Sequence, residues 1–290
     1  MSEHRVVRTV IACWFLLGAS SLFAADPAVV AALPSGDLVI VDGSRGIVNV
    51  SGSAKSNLIN NFEIFEATDL TGVRLKDGDT LFVTLRLRPG VGSSFPRLSR
   101  RSLTGKEVGQ WSLRVPGGVL ASVAIDPNRQ IAYCSDSHYG VIYKLDLKNS
   151  RASFETMIRI RDPGTLGPVI FDAKRQRLLV GDVKQGRILA VTIADKRVEV
   201  LLDRGTIREP IALALDPATD RLYVADPTKE RVWVGNLAEK RFTPQTFSRY
   251  RFRDPCGVAW SKGTLWVIDR GTKRLSQFAA DGNPLKHIGM

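Results

Sequence analysis

Short apolar runs, each closed by an acidic or hydroxyl residue, recur along the chain. In chain order the runs end at Asp42, Thr84, Asp136, Asp182, Asp226 and Asp269. The intervals between these ends are 42, 52, 46, 44 and 43 residues. Runs of this length, bounded by turn-forming residues, predict β-strands. We find no helix-period stretch of ten or more residues beyond the first 24, so the pattern favours an all-β fold.

The fifth copy of the repeat shows the predicted layout of one unit. Residues 210–216 read as a first strand and residues 222–226 as a second. Residues 231–237 follow as a third strand, and Phe242 to Phe252 as a fourth. The Gly, Pro, Asn and Asp residues between the runs supply the backbone angles of tight turns. Each copy is therefore predicted to form four local, antiparallel strands.

A period near 45 residues is the size of one four-stranded propeller blade. The sequence thus predicts a six-bladed β-propeller over residues 25–290. The predicted blades cover residues 28–66, 67–116, 117–162, 163–207, 208–253 and 254–290. The ring can close in two ways: residues 284–289 complete the last blade, or residues 28–33 pair there.

The first 24 residues have the layout of a cleavable signal helix. Arg5 and Arg8 precede an apolar run over residues 10–19, and small residues follow at Ala24 and Ala25. This order of basic, apolar and small residues is typical of a secretory signal peptide. The run is shorter than the roughly 20 apolar residues that a membrane span needs. We therefore expect a periplasmic or secreted protein that does not span the membrane after cleavage.

Two stretches of the repeat carry a family resemblance. Residues 209–217 with 222–226, and residues 254–260 with 265–269, resemble the P-x-G-I-A-V-D and L-Y-V-A-D cadence of NHL and YWTD repeats. The resemblance covers essentially the whole chain after the signal segment and is strongest from residue 120 onward. It implies a six-bladed propeller of the broad TolB-like and calcium-dependent phosphotriesterase-like class. The cadence is specific for this fold and does not identify an activity.

Loops at one face of the predicted ring collect the candidate binding residues. First strands begin, and second strands end, at the same face of a propeller, around the mouth of its channel. The candidates there are Asp42, Asp136, His138, Asp182, Asp226, Arg253 and Asp269. An Asp directly after a strand usually caps its own turn, and repetition in many copies favours that role. Calcium or another divalent metal remains open, because carboxylates suit hard cations; otherwise no cofactor is expected.

Enzymes of this broad class resemble the chain in fold but not in their motifs. Gluconolactonase-type hydrolases of the class hold a divalent metal with a Glu of an E-G-P motif, an Asn of an N-G motif and an Asp. Here Ala121 and Ser122 stand where N-G would fall, and no E-G-P occurs near the first copy. Related lyases need several histidines, whereas only His138 and His287 follow the signal segment. These departures argue against a lactonase or lyase activity.

Composition and charge narrow the class of partner. The chain is 44% hydrophobic and 24% charged, which indicates a globular protein. Its formal net charge of +12 favours anionic partners.

Only Cys134 and Cys256 follow the signal segment. Because they fall in opposite blades, we expect two buried thiols and no disulfide. The row of Arg249, Arg251 and Arg253 either guards the edge of an outermost strand or contacts an anion.

Together these observations predict an exported, non-catalytic binding or scaffold propeller. We expect a monomer that contacts another protein or an anionic component of the cell envelope, without a natural nucleic-acid partner. The alternative is a metal-dependent hydrolase or lyase that acts at the channel mouth. In that case Asp182, Asp226 and Asp269 are the carboxylates expected to take part.

Overall fold

The computed structural model describes residues 29–35, 37–42, 46–51, 54–59, 65–87, 95–239 and 242–289. The predicted signal segment, residues 1–24, lies outside the described residues. Within the described ranges, no helix is both long enough and apolar enough to cross a bilayer.

The protein is an all-β propeller built from four-stranded antiparallel blades, as the sequence predicts. Each sheet is formed by four consecutive strands, and the described residues form six such sheets. The first three sheets contain β1 (Val29–Ala32), β2 (Leu38–Asp42), β3 (Gly46–Ser51), β4 (Ala54–Ile59); β5 (Phe65–Leu75), β6 (Gly78–Leu87), β7 (Arg97–Ser102), β8 (Glu107–Ser112); and β9 (Leu120–Asp126), β10 (Ile131–Asp136), β11 (Val141–Asp146), β12 (Glu155–Arg159). The remaining three contain β13 (Leu166–Asp172), β14 (Arg177–Asp182), β15 (Arg187–Thr192), β16 (Val198–Leu202); β17 (Ala212–Asp216), β18 (Arg221–Asp226), β19 (Arg231–Asn236), β20 (Gln245–Thr246); and β21 (Pro255–Ser261), β22 (Thr264–Asp269), β23 (Arg274–Ala279), β24 (Pro284–Gly289).

The first strand of each sheet lies at the centre of the molecule. Each of these inner strands contacts the inner strand of the next sheet, from β1 through β5, β9, β13 and β17 to β21, and β21 contacts β1. Apolar side chains fill the space between consecutive sheets. The cluster of Val30 and Ile40 with Ile268 and Leu275 joins the first sheet to the last. Burial between neighbouring sheets therefore holds the molecule together.

The last sheet is completed by its own chain segment. Strand β24 pairs with β23 along most of its length, whereas β1 pairs with β2 in the first sheet. Of the two ways of closing the ring, residues 284–289 therefore form the fourth strand of the last sheet.

Several outer strands carry one extra residue relative to the strand beside them. The register shift skips Val108 in β8, Met157 in β12, Leu201 in β16 and Leu285 in β24. Such β-bulges bend a strand and increase its twist. The bulges therefore add local twist at the outer edge of the sheets that carry them.

The fourth strand of the fifth sheet departs from the prediction. Residues 242–252 were expected to form it, but β20 contains only Gln245 and Thr246. The Phe247 N–H group still donates to the Val232 carbonyl of β19, and residues 248–254 then connect to β21 without strand pairing. Alternation of polar and apolar residues in this segment reflects packing against the neighbouring sheet, which produces the same sequence pattern as a strand.

The propeller has two faces, which carry different turns. The mouth face is the one at which first strands begin and second strands end, shown by the pairing of Leu120 with Asp136 and of Leu166 with Asp182. The far face carries the turns between first and second strands and between third and fourth strands.

Candidate functional site

The repeated aspartates of the last three sheets sit at the mouth face and are fully buried. Asp182 accepts hydrogen bonds from the backbone N–H groups of Gly164 (3.1 Å) and Thr165 (3.0 Å). It also pairs with the Arg187 guanidinium, with Nη2 at 2.9 Å from Oδ2. The carboxylate thus ties the end of β14 to the segment that enters its sheet.

Asp226 and Asp269 repeat this arrangement in the next two sheets. Asp226 accepts from the N–H groups of Arg208 (2.8 Å) and Glu209 (3.2 Å). Asp269 accepts from those of Arg253 (3.1 Å) and Asp254 (2.8 Å). In each case the oxygens that could bind a metal are occupied by N–H donors. This geometry is that of a structural cap.

Asp136, in the third sheet, differs from these three. Its Oδ1 atom accepts from the N–H groups of His138 (2.8 Å) and Tyr139 (2.9 Å) in its own turn. Its Oδ2 atom is buried against Gly118 and has no hydrogen-bond partner among the described residues. Gly118 instead donates its N–H to the carbonyl of Val115. Burial raises the pKa of Asp136, and the bonds from Tyr139 and His138 oppose that shift.

The remaining predicted site residues are not gathered into one cluster. His138 is exposed, and its ring lies edge-on to that of Tyr139, with centroids 4.5 Å apart. Arg253 also has an exposed side chain, although its N–H group contacts Asp269. Asp42 ends β2, and its side chain lies outside the description. Among the described residues, no group of three or more His, Cys, Asp or Glu side chains could hold a metal ion.

A carboxylate that the sequence analysis missed lies on an inner strand. Asp69 of β5 accepts at Oδ2 from the Ser122 hydroxyl (2.5 Å) and from the Val123 N–H group (3.0 Å), both on β9. Ser122 in turn accepts from the N–H group of Val169 on β13, at 3.0 Å. This chain of bonds links three consecutive sheets.

The surroundings of Asp69 perturb its acidity. Protein covers most of the residue, and part of its surface stays accessible. Burial raises the pKa of Asp69 to about 6, and the bonds from Ser122 and Val123 only partly oppose that rise. The Leu70 N–H group is a third donor; all three donors are neutral, and no Lys or Arg side chain pairs with this carboxylate in the described part of the chain.

A cavity of about 180 Å³ lies between the inner strands of the same three sheets. Its walls are Thr71–Val73 of β5, Val123–Ile125 of β9 and Val169–Phe171 of β13. Val123 and Val169 line the cavity and also donate to Asp69 and Ser122. Asp69 precedes Thr71 on β5 and is not among the residues that line the cavity.

Residues 247–254, which we call the arginine segment, form the second candidate region. Ser248 donates its hydroxyl hydrogen to the carbonyl of Gly282 in the far-face turn of the last sheet, at 2.6 Å. At the other end, Asp254 donates its N–H to Asp269. The segment therefore runs along the flank of the last sheet from the far face to the mouth face.

Aromatic packing anchors the arginine segment. The Tyr250 ring lies 5.6 Å from that of Phe278 and stacks on His287 at 5.4 Å, measured between centroids. Phe247 and Phe252 are buried, and each also contacts Phe278. The side chains that alternate with these rings are exposed; they are those of Arg249, Arg251 and Arg253. Because the segment is not paired in a ladder, the arginines do not guard the edge of a strand.

The two cysteines are buried free thiols, as predicted. Burial raises the pKa of the Cys134 thiol, and the nearby Asp69 carboxylate raises it further. Burial likewise raises the pKa of Cys256, to about 12. Thiols of such low acidity are poor nucleophiles, so both are packing residues.

Comparisons with known proteins identify the fold alone. No protein-family model and no curated protein matches the sequence. The structure is similar to a chain of the nidogen–laminin complex, with a TM-score of 0.67, 14% identity and 92% of each chain covered. It is also similar to a streptogramin B lyase, with a TM-score of 0.66, 10% identity and coverage of 93% of this chain and 85% of the lyase. A Bacteroides thetaiotaomicron protein of unknown function gives a TM-score of 0.67 at 12% identity, over 91% of this chain and 69% of that one. Both a binding protein's complex and an enzyme stand among these neighbours, so the fold does not decide between the two classes.

Proposed function

We propose that this protein is an exported, non-catalytic binding propeller whose arginine segment contacts an anionic partner. The partner would be an acidic protein or an anionic component of the cell envelope. The observation that carries the proposal is the row of Arg249, Arg251 and Arg253, held outward by buried rings and paired with no acidic side chain of the described residues. Arginine forks suit carboxylate and phosphate groups.

The setting of the other arginines supports this choice of surface. On the mouth face, the exposed side chains of Arg114, Arg161 and Arg208 also have no acidic partner among the described residues. On the far face, arginines are mostly neutralised: examples are the pairs of Arg74 with Asp79 and of Arg177 with Asp172. The arginines least neutralised by acidic side chains are therefore those of the arginine segment and of the adjoining mouth face. An anionic partner is expected to bind there.

We further infer that the six sheets are the six blades of one closed ring of the NHL or YWTD type. The inner-strand contacts from β1 round to β21, and back to β1, support this count. The signal-like first 24 residues support export to the periplasm or the medium.

The test is binding to poly-L-glutamate and to phosphatidylglycerol vesicles at about 50 mM salt, where exposed charges are weakly screened. Wild-type protein should bind at least one of these probes, and binding should weaken as salt rises. We expect the triple variant R249Q/R251Q/R253Q to lose about tenfold in affinity. The matched control is K76Q/K106Q/K148Q, which removes the same charge from exposed lysines of the far face.

Three outcomes would contradict the proposal. The first is that wild-type protein binds neither probe. The second is an equal loss of affinity in both triple variants, which would indicate net charge rather than a site. The third is binding of neutral dextran as strong as that of the anionic probes. Preferential binding of poly-L-glutamate would indicate a carboxylate-bearing protein partner. Preferential binding of the vesicles would indicate a phosphate-bearing lipid surface.

A metal-dependent hydrolase or lyase remains the alternative. The N–H donors on Asp182, Asp226 and Asp269 weigh against it, because a metal would have to displace them. Calcium titration followed by thermal melting tests the alternative. Saturable stabilisation at micromolar calcium, lost in an Asp226→Asn variant, would favour the enzyme.

A further inference from the structure

The outer strand of the fourth sheet has an open edge. Strand β16 pairs with β15 and with no other strand of the described residues. Such an edge presents a row of backbone N–H and C=O groups that a further strand can use. Beside it, the fifth sheet has an outer strand of only two residues, Gln245 and Thr246. The flank between these two sheets contains a groove of about 780 Å³.

The groove lies between β16 and the segment that joins β19 to β20. Its apolar lining includes Leu201 and Leu202 of the fourth sheet, and Leu237 and Phe242 of the fifth. These four side chains also belong to the core between the two sheets, and the Phe242 ring packs directly over Gly235. The walls of the groove are therefore held by the core. Its volume is in the range of natural binding pockets.

The two faces of β16 differ in character. Glu199 lies opposite Ala190 of β15, which packs toward the fifth sheet, so Glu199 is on the groove side. Val198 and Val200 are on the other face, toward the third sheet, and are 38% and 47% exposed. Because side chains alternate along a strand, a strand added at this edge would place every second side chain on the acidic face and the others on the apolar face.

The groove is acidic, although the chain as a whole has a formal net charge of +12. Three carboxylates line it, those of Glu199, Asp203 and Glu239, and no Lys or Arg side chain of the described residues pairs with them. The Arg177 guanidinium also lies in the lining, but it is bound to Asp172. Basic side chains therefore complement this groove.

We propose that β16 and the groove bind an extended peptide segment of a partner protein in which Lys or Arg alternates with small apolar residues. The segment adds as a fifth strand and forms main-chain hydrogen bonds along residues 198–200, before the bulge at Leu201. Its basic side chains contact the carboxylates of the groove. Its apolar side chains cover Val198 and Val200.

The probe is the peptide Lys-Val-Lys-Val-Lys, labelled with rhodamine at its N-terminus and amidated at its C-terminus. Fluorescence anisotropy measures its binding to the full-length protein at about 50 mM salt. The peptide Ser-Val-Ser-Val-Ser, labelled in the same way, has the backbone and the valines without the charges. We expect the Lys-Val peptide to bind about tenfold more tightly than the Ser-Val peptide. Since the protein and the Lys-Val peptide both have a net positive charge, attraction between net charges cannot produce this preference.

Two N-methylated forms of the Lys-Val peptide test for strand addition. Along an added strand, the N–H groups of alternate residues point toward the sheet. One form is methylated at the backbone nitrogens of the lysines, and the other at those of the valines. We expect one form to lose about tenfold in affinity and the other to bind as the unmodified peptide does.

Variants locate the site. We expect the affinity for the Lys-Val peptide to fall about tenfold when the groove carboxylates are neutralised, as in E199Q/D203N/E239Q. The matched control removes the same charge from exposed carboxylates of the second and third sheets and should bind as wild type does; it is E107Q/D146N/E155Q. If the groove variant does not fold, hydrogen exchange of the wild type replaces it. Bound peptide should then slow the exchange of backbone amides in residues 198–200.

Equal binding of the Lys-Val and Ser-Val peptides would overturn the proposal, as would equal affinities of the two triple variants or amide exchange in β16 that the peptide does not change. Unchanged binding of both N-methylated forms would do the same, because side-chain contacts alone would then explain the interaction. The variant R249Q/R251Q/R253Q should bind the Lys-Val peptide as wild type does. This proposal and the proposed function therefore fail separately.

Discussion

The carboxylates at the strand ends and the carboxylate of Asp69 have different roles in this propeller. The caps at Asp182, Asp226 and Asp269 each receive N–H groups from the segment that enters their sheet. Asp69 lies one strand closer to the axis and receives a hydroxyl and an N–H group from the next sheet, besides the N–H group of Leu70. The difference lies in what each carboxylate joins. The caps bind the segment that enters their own sheet, whereas Asp69 bonds to the inner strand of the next sheet.

The largest effect should come from removing a saturated cap. Asp226→Ala leaves the N–H groups of Arg208, Glu209 and Lys229 without their acceptor, as well as the indole N–H of Trp233. We expect the free energy of unfolding to fall by about 4 kcal/mol. That loss corresponds to a decrease of about 10 °C in Tm.

Thermal and urea unfolding measure this change. Glu199→Ala is the control, because Glu199 is an exposed carboxylate whose side chain has no partner in the part of the chain that the structure describes. It should alter the free energy of unfolding by no more than about 0.5 kcal/mol. Similar losses in both variants would remove the distinction between saturated caps and other acids.

The next effect concerns the pH dependence of stability. The pKa of Asp69 is raised from 3.8 to about 6 on folding, so the folded state binds a proton more tightly than the unfolded state does. The stabilisation from the protonated group is fully present below pH 3.8 and is lost as pH rises through about 6. At pH 8 the loss amounts to about 3 kcal/mol.

Asp69→Asn removes this ionisation and isolates its effect. From pH 4 to pH 8, the free energy of unfolding of the wild type should fall by about 3 kcal/mol more than that of the variant. Urea unfolding across that range measures the difference. Parallel pH profiles for the two proteins would show that Asp69 ionises as an ordinary surface acid does.

The smallest effect should come from the hydroxyl that joins Asp69 to the next sheet. Ser122→Ala removes the donor to Asp69 and the acceptor of the Val169 N–H group. We expect a loss of about 1 to 2 kcal/mol. The pKa of Asp69 should rise further, because the Ser122 bond lowers it. Carbon NMR of the carboxyl group measures that shift, and a fall in its pKa would contradict the assigned hydrogen bond.

The caps were predictable from the sequence, whereas Asp69 was not. A strand end followed by Asp recurs at Asp136, Asp182, Asp226 and Asp269, and local turn chemistry is enough to anticipate capping. Asp69 lies in a copy where the repeat is weak, and its partner Ser122 is 53 residues away. Contacts between neighbouring sheets leave no periodic signal, so a pattern within single strands could not reveal this pair.

The arginine segment shows a second limit of the sequence pattern. Alternation correctly predicted that Arg249, Arg251 and Arg253 face solvent while Tyr250 and Phe252 face the protein. It wrongly predicted a strand, because a segment packed along a neighbouring sheet alternates in the same way. Only the position of Phe278 and His287 on the last sheet explains the observed course of the chain.

The completion of every sheet by its own chain segment has a consequence for how such a chain can be rearranged. Since β24 finishes the last sheet and β1 begins the first, no ladder among the described strands joins these two sheets. New termini can be opened between any two sheets, for example within residues 113–119, without separating a strand from its partner. A tandem duplication of the coding segment for one sheet would likewise add a complete four-stranded sheet. Both rearrangements thus need only a single genetic event.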